Sequence, residues 1–385
     1  MKSVQLILLM AFGLMARGLL SAQVWTQTSA PTNTWMAIAS SADGTKLVAV
    51  AGGQFATGPI YSSTNAGGNW LLTSAPTSHW NAVASSANGS KLSAVAYGGR
   101  IFTSTNAGAN WMTNNVANQS WQAIASSADG SKLAAVSLAS LVFLSTNAGA
   151  IWFSNAAPID SEQVATSADS SLLAVGNNVG LMYVSTNSGA SWAYGAALSG
   201  KVTSLAASAN GSRLIAVSAG APGPRVYTST NAGITWVTNN VPNRSDWFAC
   251  ASSADGSNLA VIGQKGVIYT PADAGQTWIS NSVPGLFWSA VASSADGSQL
   301  VAATSNGGIW IFKSTPTPRL NLTTVSNQLS FAWTVPATHL VLQQSADLSS
   351  WTTVTNPPTL NVSNLQNQVV LPPSGSRSFY RLKTP

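Results

Sequence analysis

Short runs of alternating apolar and polar residues, separated by glycine turns, recur along most of this chain. The fullest copy reads W-x-A-V-A-S-S-A-D-G-S-K-L-x-A-V, then a variable loop, then I-Y-x-S-T-N-A-G-x-x-W. Alternation with a period of two predicts β-strands, and Asp-Gly or Asn-Gly between two such runs predicts a tight hairpin. Each copy therefore predicts four antiparallel strands, which in the first copy span residues 35–41, 46–51, 59–64 and 70–74.

The copies recur roughly every 40–45 residues, a repeat length typical of the blades of a β-propeller. They begin at Trp35, Trp80, Trp121, Ser161, Val202, Trp247 and Trp288. The seventh copy lacks its last Trp, while Trp25 precedes Trp35 by the same offset as Trp70 precedes Trp80. We therefore predict a seven-bladed propeller over residues 23–313, closed by an N-terminal strand, residues 24–28, at the outer edge of blade 7.

The repeat ends at a short segment rich in Pro and Thr, residues 314–319, which predicts a stiff linker. Residues 320–385 then alternate like the strands of a small β-sandwich. The predicted strands span residues 320–325, 329–333, 340–345, 351–354, 369–371 and 378–382. The chain is therefore predicted to be all-β, with a propeller followed by a C-terminal β-sandwich module.

Five hairpins between the third and fourth strands share the sequence S-T-N-A-G-x-x-W. This sequence resembles the Asp-box, S-x-D-x-G-x-x-W, of sialidase-like (BNR) propellers, and the repeats of the photosystem II assembly and stability factor family. The resemblance covers about residues 24–315. Asn stands at the Asp position in Asn65, Asn106, Asn147, Asn187 and Asn231, and Asp273 alone keeps the acid. In the family the box lies away from the catalytic centre, so the resemblance implies a fold and not an activity.

The first 22 residues predict a secretory signal. Lys2 precedes an apolar stretch, residues 4–16, and Ala22 is a small residue suited to cleavage before Gln23. No second apolar run of membrane-spanning length follows. The run L-V-L-Q-Q-S-A-D-L-S-S-W-T-T-V and the ending F-Y-R-L resemble a C-terminal module of secreted proteins from Verrucomicrobia and Planctomycetes, which implies an accessory or surface-associated role. A bacterial protein that is secreted or held at the cell surface is therefore predicted.

Composition narrows the possible partners and chemistries. Only 7% of the residues are charged, and the 16 Lys and Arg form no basic stripe, which argues against a nucleic-acid partner. Cys250 is the single cysteine, so no internal disulfide can form, and its place in a repeated strand predicts a buried apolar role. His79 and His339 lie in different predicted domains, which argues against a histidine zinc site or a Ser-His-Asp triad. No metal ion and no cofactor is predicted.

The two faces of the propeller are predicted to differ. The first and third turns of every blade share one face and repeat almost identically, and we name it the repeated face. The second and fourth connections share the opposite face and vary in length and sequence, and we name it the variable face. Turns that only hold the scaffold together can be identical in every blade, whereas a specific binding site needs residues that differ from blade to blade. A ligand is therefore predicted on the variable face, near the central channel.

The candidate ligand-binding residues are tryptophans and charged side chains on the variable face. Five tryptophans at the starts of innermost strands would either form an aromatic rim that stacks on sugar rings or pack between blades. They are Trp35, Trp80, Trp121, Trp247 and Trp288. Blades 4 and 5 lack this Trp, and charges with no counterpart in other repeats lie near the gap, namely Asp160, Glu162 and Lys201. The remaining candidates are Arg100, Arg225, Arg244 and Asp246.

These features predict a non-enzymatic scaffold that recognises a glycan or an extracellular protein. One alternative is a sialidase-like glycoside hydrolase. Hydrolysis commonly needs two carboxylates, and outside the repeated turns and the C-terminal module only Asp160, Glu162 and Asp246 could supply them. The resemblance would further require three arginines around a carboxylate and a Tyr nucleophile. A second alternative is an assembly factor for a protein complex, by analogy of fold. Near-identical blades could also act multivalently through weak repeated contacts. No catalytic residue is assigned, and the oligomeric state stays open.

Overall fold

The computed structural model shows an all-β chain. It describes residues 25–139, 141–156, 161–220, 223–242, 246–263, 266–271, 275, 277–281, 283, 285–314, 320–325, 328–334, 340–361, 365–372 and 378–383. The predicted signal, residues 1–22, lies outside this part of the chain, as does most of the predicted linker, residues 314–319. No helix in the described part is long and apolar enough to cross a membrane.

Seven units of four antiparallel strands form the blades, and the chain builds each unit from its innermost strand outward. The first strand of the chain, β1 (Trp25–Gln27), is the exception and belongs to blade 7. Blades 1 to 3 are β2 (Asn33–Ser40), β3 (Leu47–Ala51), β4 (Ile60–Ser63) and β5 (Leu71–Leu72); β6 (Trp80–Ser85), β7 (Leu92–Gly99), β8 (Ile101–Ser104) and β9 (Met112–Thr113); and β10 (Gln119–Ser126), β11 (Leu133–Ser137), β12 (Leu141–Ser145) and β13 (Phe153–Ala156).

The remaining blades follow the same order. They are β14 (Gln163–Thr166), β15 (Leu173–Gly176), β16 (Leu181–Ser185) and β17 (Ala193–Ala197); β18 (Lys201–Ala207), β19 (Leu214–Ala219), β20 (Arg225–Ser229) and β21 (Val237–Asn239); β22 (Trp247–Ser252), β23 (Leu259–Gly263), β24 (Val267–Pro271) and β25 (Trp278–Ser280); and β26 (Trp288–Ser293), β27 (Gln299–Gly307) and β28 (Ile309–Lys313) with β1. The innermost strands β2, β6, β10, β14, β18, β22 and β26 contact one another in sequence, and β26 contacts β2. The blades therefore close into a ring, and the propeller prediction is confirmed.

The N-terminal strand completes blade 7, as the tryptophan spacing predicted. β1 pairs antiparallel with β28, and Trp25 stands opposite Phe312. The Trp25 ring is 6% exposed and lies 6.1 Å from the Trp288 ring and 5.7 Å from the Phe312 ring, centroid to centroid. Closure of the ring therefore rests on strand pairing and on one buried aromatic cluster.

The Asp-Gly turns on the repeated face are held by a shared set of hydrogen bonds. In blade 3 the Ser127 hydroxyl donates to Asp129 at 2.6 Å, and Asp129 accepts the backbone N–H of Ser131 at 2.9 Å. Burial opposes the ionised carboxylate, but these hydrogen bonds outweigh it and hold the pKa of Asp129 at about 2. In blade 4 Ser170 takes the glycine position with a φ of 55°. The carboxylates of these turns thus act as structural acceptors.

A closed ring of backbone hydrogen bonds lines the channel beside these turns. The alanine that precedes the Asp or Asn of each turn donates its N–H to the equivalent carbonyl of the next blade, at 2.6–2.7 Å, and the seventh donates to the first. The members of this alanine ring are Ala42, Ala87, Ala128, Ala168, Ala209, Ala254 and Ala295. The backbone at this point must therefore take the same position in every blade, because each alanine bonds to two neighbours at once.

The C-terminal module consists of two sheets. One contains β29 (Asn321–Val325), β30 (Gln328–Thr334), β34 (Gln366–Leu371) and β33 (Thr359–Asn361), and the other contains β32 (Thr352–Thr353), β31 (Val341–Ser345) and β35 (Phe379–Lys383). Phe331, Trp333 and Val369 of the first sheet pack with Leu342 of the second in one buried cluster. The strand β33 was not predicted from the sequence.

Candidate binding face

The five innermost tryptophans are packing residues between blades. Each is at most 2% exposed, which leaves no ring face open to a sugar; they are Trp35, Trp80, Trp121, Trp247 and Trp288. The Trp121 ring lies edge-on to Phe143 with centroids 4.9 Å apart, and its Nε1 donates to the carbonyl of Gly99 at 3.1 Å. Of the two alternatives, packing between blades is the one that agrees with this burial, and these five tryptophans are corrected as candidate ligand-binding residues because their rings fill the space between blades.

In two blades the second strand extends beyond its own blade and pairs with the innermost strand of the next blade, on the variable face. The end of β7 pairs with the start of β10, and the end of β27 pairs with the start of β2. The carbonyls of Gly99 and Gly307 at these strand ends accept the indole hydrogen bonds of Trp121 and Trp35. The boundaries between blades 2 and 3 and between blades 7 and 1 are therefore joined by main-chain pairing.

The sites of the missing tryptophans in blades 4 and 5 are filled. Ser161 and Val202 occupy the equivalent positions, and both are 0% exposed. Met182 and Leu198 pack with Val202 in one buried cluster, so apolar side chains from the surrounding strands replace the absent indole. The predicted gap in the aromatic positions is therefore not an opening.

The unique charges beside this position do come together. Lys201 Nζ lies 2.6 Å from Glu162 Oε2, with the Glu162 side chain 8% exposed and the Lys201 side chain 50% exposed. The pair links the start of blade 4 to the start of blade 5, and it is the one ion pair formed by the part of the chain that the structure describes. Asp160 lies outside the described residues.

Removal of Lys201 tests how far the ring depends on this pair. We expect Lys201→Met to lower the free energy of unfolding by about 1–2 kcal/mol, because it leaves a buried carboxylate without its partner. Glu162→Gln combined with Lys201→Met should recover most of that loss, since no unpaired charge then stays buried. Urea unfolding of both variants checks this; equal losses in the single and double variants would contradict it.

Arg225 lines a small cavity on the variable face. It begins β20, and the cavity of about 150 Å³ is bounded by Gly223, Asn240 and the Trp247 ring edge, among others. Arg225 Nε is buried, and no residue in the described part of the chain accepts a hydrogen bond from it. A guanidinium placed in this way can receive an acidic group from a bound molecule.

The other predicted arginines do not join Arg225. Arg100 lies exposed between β7 and β8 of blade 2, and blades 3 and 4 separate it from Arg225 in blade 5. Asp246 is exposed directly before β22. Arg244 lies outside the described residues. Of the three predicted arginines, the two that the structure describes, Arg100 and Arg225, therefore do not form the cluster that a sialidase-like site would need.

Four exposed apolar side chains lie in the connections of the variable face, and the sequence reasoning missed them. Phe55 is 92% exposed, Phe287 66%, Val179 63% and Leu138 45%. They belong to four different blade connections and to non-equivalent positions of the repeat. The sequence did offer one signal for these residues, because each is a large apolar residue inside a loop. Only the tertiary structure shows that the side chains are exposed.

The loop that presents Phe55 is anchored to blade 2. His79 Nδ1 donates to the carbonyl of Gly53 at 3.0 Å, and Gln54 Nε2 donates to the Tyr97 hydroxyl at 3.0 Å. Gly58 and Ser78 add a two-bond backbone bridge. His79 therefore holds a loop in place, while His339 lies outside the described residues.

Comparisons with known proteins inform the fold. No protein-family model matches the sequence, and no curated protein matches it. A solved structure described as "YCF48 bound to D1 peptide" is similar, with a TM-score of 0.59, 15% identity, and coverage of 76% of this chain and 97% of that chain. A second, "YCF48 from Cyanidioschyzon merolae", has a TM-score of 0.60, 12% identity, and coverage of 75% and 98%. At this level of identity the similarity shows the fold alone.

Proposed function

We propose that this protein is a non-enzymatic binding protein that holds a partner protein outside the cell against its variable face. The observation that carries the proposal is the group of exposed apolar residues Phe55, Leu138, Val179 and Phe287 on the connections of that face. Large apolar side chains that are exposed on the same face of a folded protein are typical of interaction surfaces when a partner can cover them together. The repeated face, by contrast, is built from two turn sequences that recur with few changes from blade to blade.

The contact chemistry of the variable face suits a polypeptide. Phe55 and Phe287, from adjacent blades 1 and 7, offer apolar anchors, and Phe55 sits on a loop fixed by His79 and Gln54. A fixed anchor loses little freedom on binding, which favours affinity. Lys201 and Arg225 at the same end of blade 5 would receive an acidic side chain of the partner.

A protein partner has more support than a glycan. The glycan interpretation drew on an aromatic rim, and the five indoles that would form it are buried. A solved structure of the same fold is described as holding a peptide. The hydrolase alternative has less support, because Glu162 is buried against Lys201 and the arginines of blades 2 and 5 lie apart.

Export is part of the proposal. The apolar segment after Lys2 and the small residues before Gln23 support a cleaved secretory signal. The partner would then be met in the extracellular space or at the cell surface, where a chain of low charge and a single cysteine depends on no disulfide.

Peptide selection tests the function directly. We expect residues 23–385 to enrich binders from a phage-displayed library of random dodecapeptides, with apolar side chains beside an acidic one. The double variant Phe55→Ser with Phe287→Ser should bind the selected peptides at least tenfold more weakly. A tenfold loss of affinity corresponds to about 1.4 kcal/mol, and two aromatic anchors together contribute more than that. Binding is measured by biolayer interferometry.

A matched control separates this face from general stickiness. Leu71→Ser with Met112→Ser removes two side chains that are 69% and 58% exposed on the outermost strands, far from the variable face. This control should leave peptide binding unchanged. Equal weakening in both double variants, or a glycan-array signal in the absence of any enriched peptide, would overturn the proposal.

A further inference from the structure

We propose that the C-terminal module plugs the central channel from the repeated face, with Leu365 as the plug. Leu365 directly precedes β34, in the connection from β33. Its side chain packs against Ala209, Ala254 and Ala295, together with Ala42 and Ala168. A residue of the module thus packs against five of the seven alanines of the ring, and its role goes beyond the proposed binding function of the opposite face.

The alanine ring fits a single apolar side chain. All seven ring alanines and Leu365 border one cavity of about 170 Å³. The rest of the cavity wall is formed mainly by Ser and Thr residues of the innermost strands and their ends. Methyl groups that converge from neighbouring blades form a shallow apolar socket. A leucine side chain gains free energy by leaving water for such a socket.

The backbone of Leu365 shows that this contact is imposed by tertiary structure. Its φ is 53°, in the left-handed region that Gly and Asn adopt readily and that a leucine adopts only at a cost. Local turn preferences would favour Gly at this position. An Asn, which also adopts a positive φ readily, stands one residue earlier, at Asn364. A leucine kept in a strained conformation indicates that its side chain is needed where it points.

A plug at this end gives the channel one opening. A partner can then enter the channel only from the variable face, and the module is held against the propeller despite the Pro/Thr segment between them. The module acts as a built-in cap of the repeated face, and this role does not depend on what the variable face binds.

Leu365→Gly tests the plug, because it relieves the strain in the hairpin while removing the side chain. We expect trypsin to cleave between propeller and module, at Lys313 or Arg319, about tenfold faster in this variant than in the unaltered protein. Small-angle scattering should show a larger radius of gyration. Leu365→Met, which keeps an apolar side chain of similar size, should retain the slow cleavage and the compact radius.

Leu360→Ser is the matched control, because Leu360 lies on the same hairpin and is 48% exposed without being part of the socket. It should behave like the unaltered protein. A Leu365→Gly variant with unchanged cleavage and radius would overturn the proposal, since a residue needed only for the hairpin itself would gain from glycine. Equal release by Leu360→Ser would also overturn it.

Discussion

Deletion of residues 24–29 is expected to lower the melting temperature of the whole propeller by roughly 10 °C or more. The deletion removes Trp25 from a buried cluster with Trp288 and Phe312, and it strips β28 of its only outer partner. Loss of one buried Trp costs about 3–5 kcal/mol, and each 1 kcal/mol shifts the melting point of a large domain by about 2–4 °C. Differential scanning calorimetry would measure the shift.

The effect should extend to all blades because blade 7, which β1 completes, is the blade that contacts blade 1 and closes the ring. Trp25→Ala should reproduce most of the loss, whereas Thr26→Ala, an exposed residue on the same strand, should leave the melting temperature unchanged. A deletion variant that melts like the intact protein would show that β1 does not close the ring.

Trp121→Ala is expected to lower the free energy of unfolding by about 3–5 kcal/mol. Trp121 is 0% exposed, packs edge-on against Phe143 and donates an indole hydrogen bond across the boundary between blades 2 and 3. The substitution therefore leaves a cavity and an unused carbonyl in the seam. Urea unfolding monitored by circular dichroism checks the value; a variant that lost ligand binding but kept full stability would contradict the packing role.

Two nearly identical sites allow the hydrogen bond to be separated from the packing. Trp80 is also 0% exposed and edge-on to Phe102, but none of the described residues accepts a hydrogen bond from its Nε1. Trp121→Phe should therefore cost about 1 kcal/mol more than Trp80→Phe, because only the first substitution removes a hydrogen bond. Equal costs would show that the bond to Gly99 contributes nothing.

The sequence predicted those parts of the fold that repeat or that obey local rules. Period-two alternation and Asp-Gly turns placed the blades, and the offset of Trp25 placed the closing strand. Cys250 is buried as expected, and burial raises the pKa of its thiol to about 12. These features depend on residues that are close in sequence or on a pattern that recurs, and both can be recognised in a single sequence.

Contacts between blades were not predictable in the same way. Whether an indole faces a neighbouring blade or solvent depends on the twist of two sheets, and the tryptophans of the supposed rim proved to be buried. Glu162 and Lys201 were noted as unusual, yet only the ring geometry brings them to 2.6 Å. Leu365 lies in a loop with no periodic pattern, and its strained φ is visible only in three dimensions.

The alanine ring also has an electrostatic consequence. A row of peptide hydrogen bonds normally ends in unused N–H groups on one side and unused carbonyls on the other, and these ends carry partial charges that attract ions. In the ring each alanine N–H donates to the next blade and each alanine carbonyl accepts from the previous one, so the row has no ends. The ring therefore leaves no alanine N–H or carbonyl unused to attract an ion, and a leucine can lie against it without breaking a hydrogen bond.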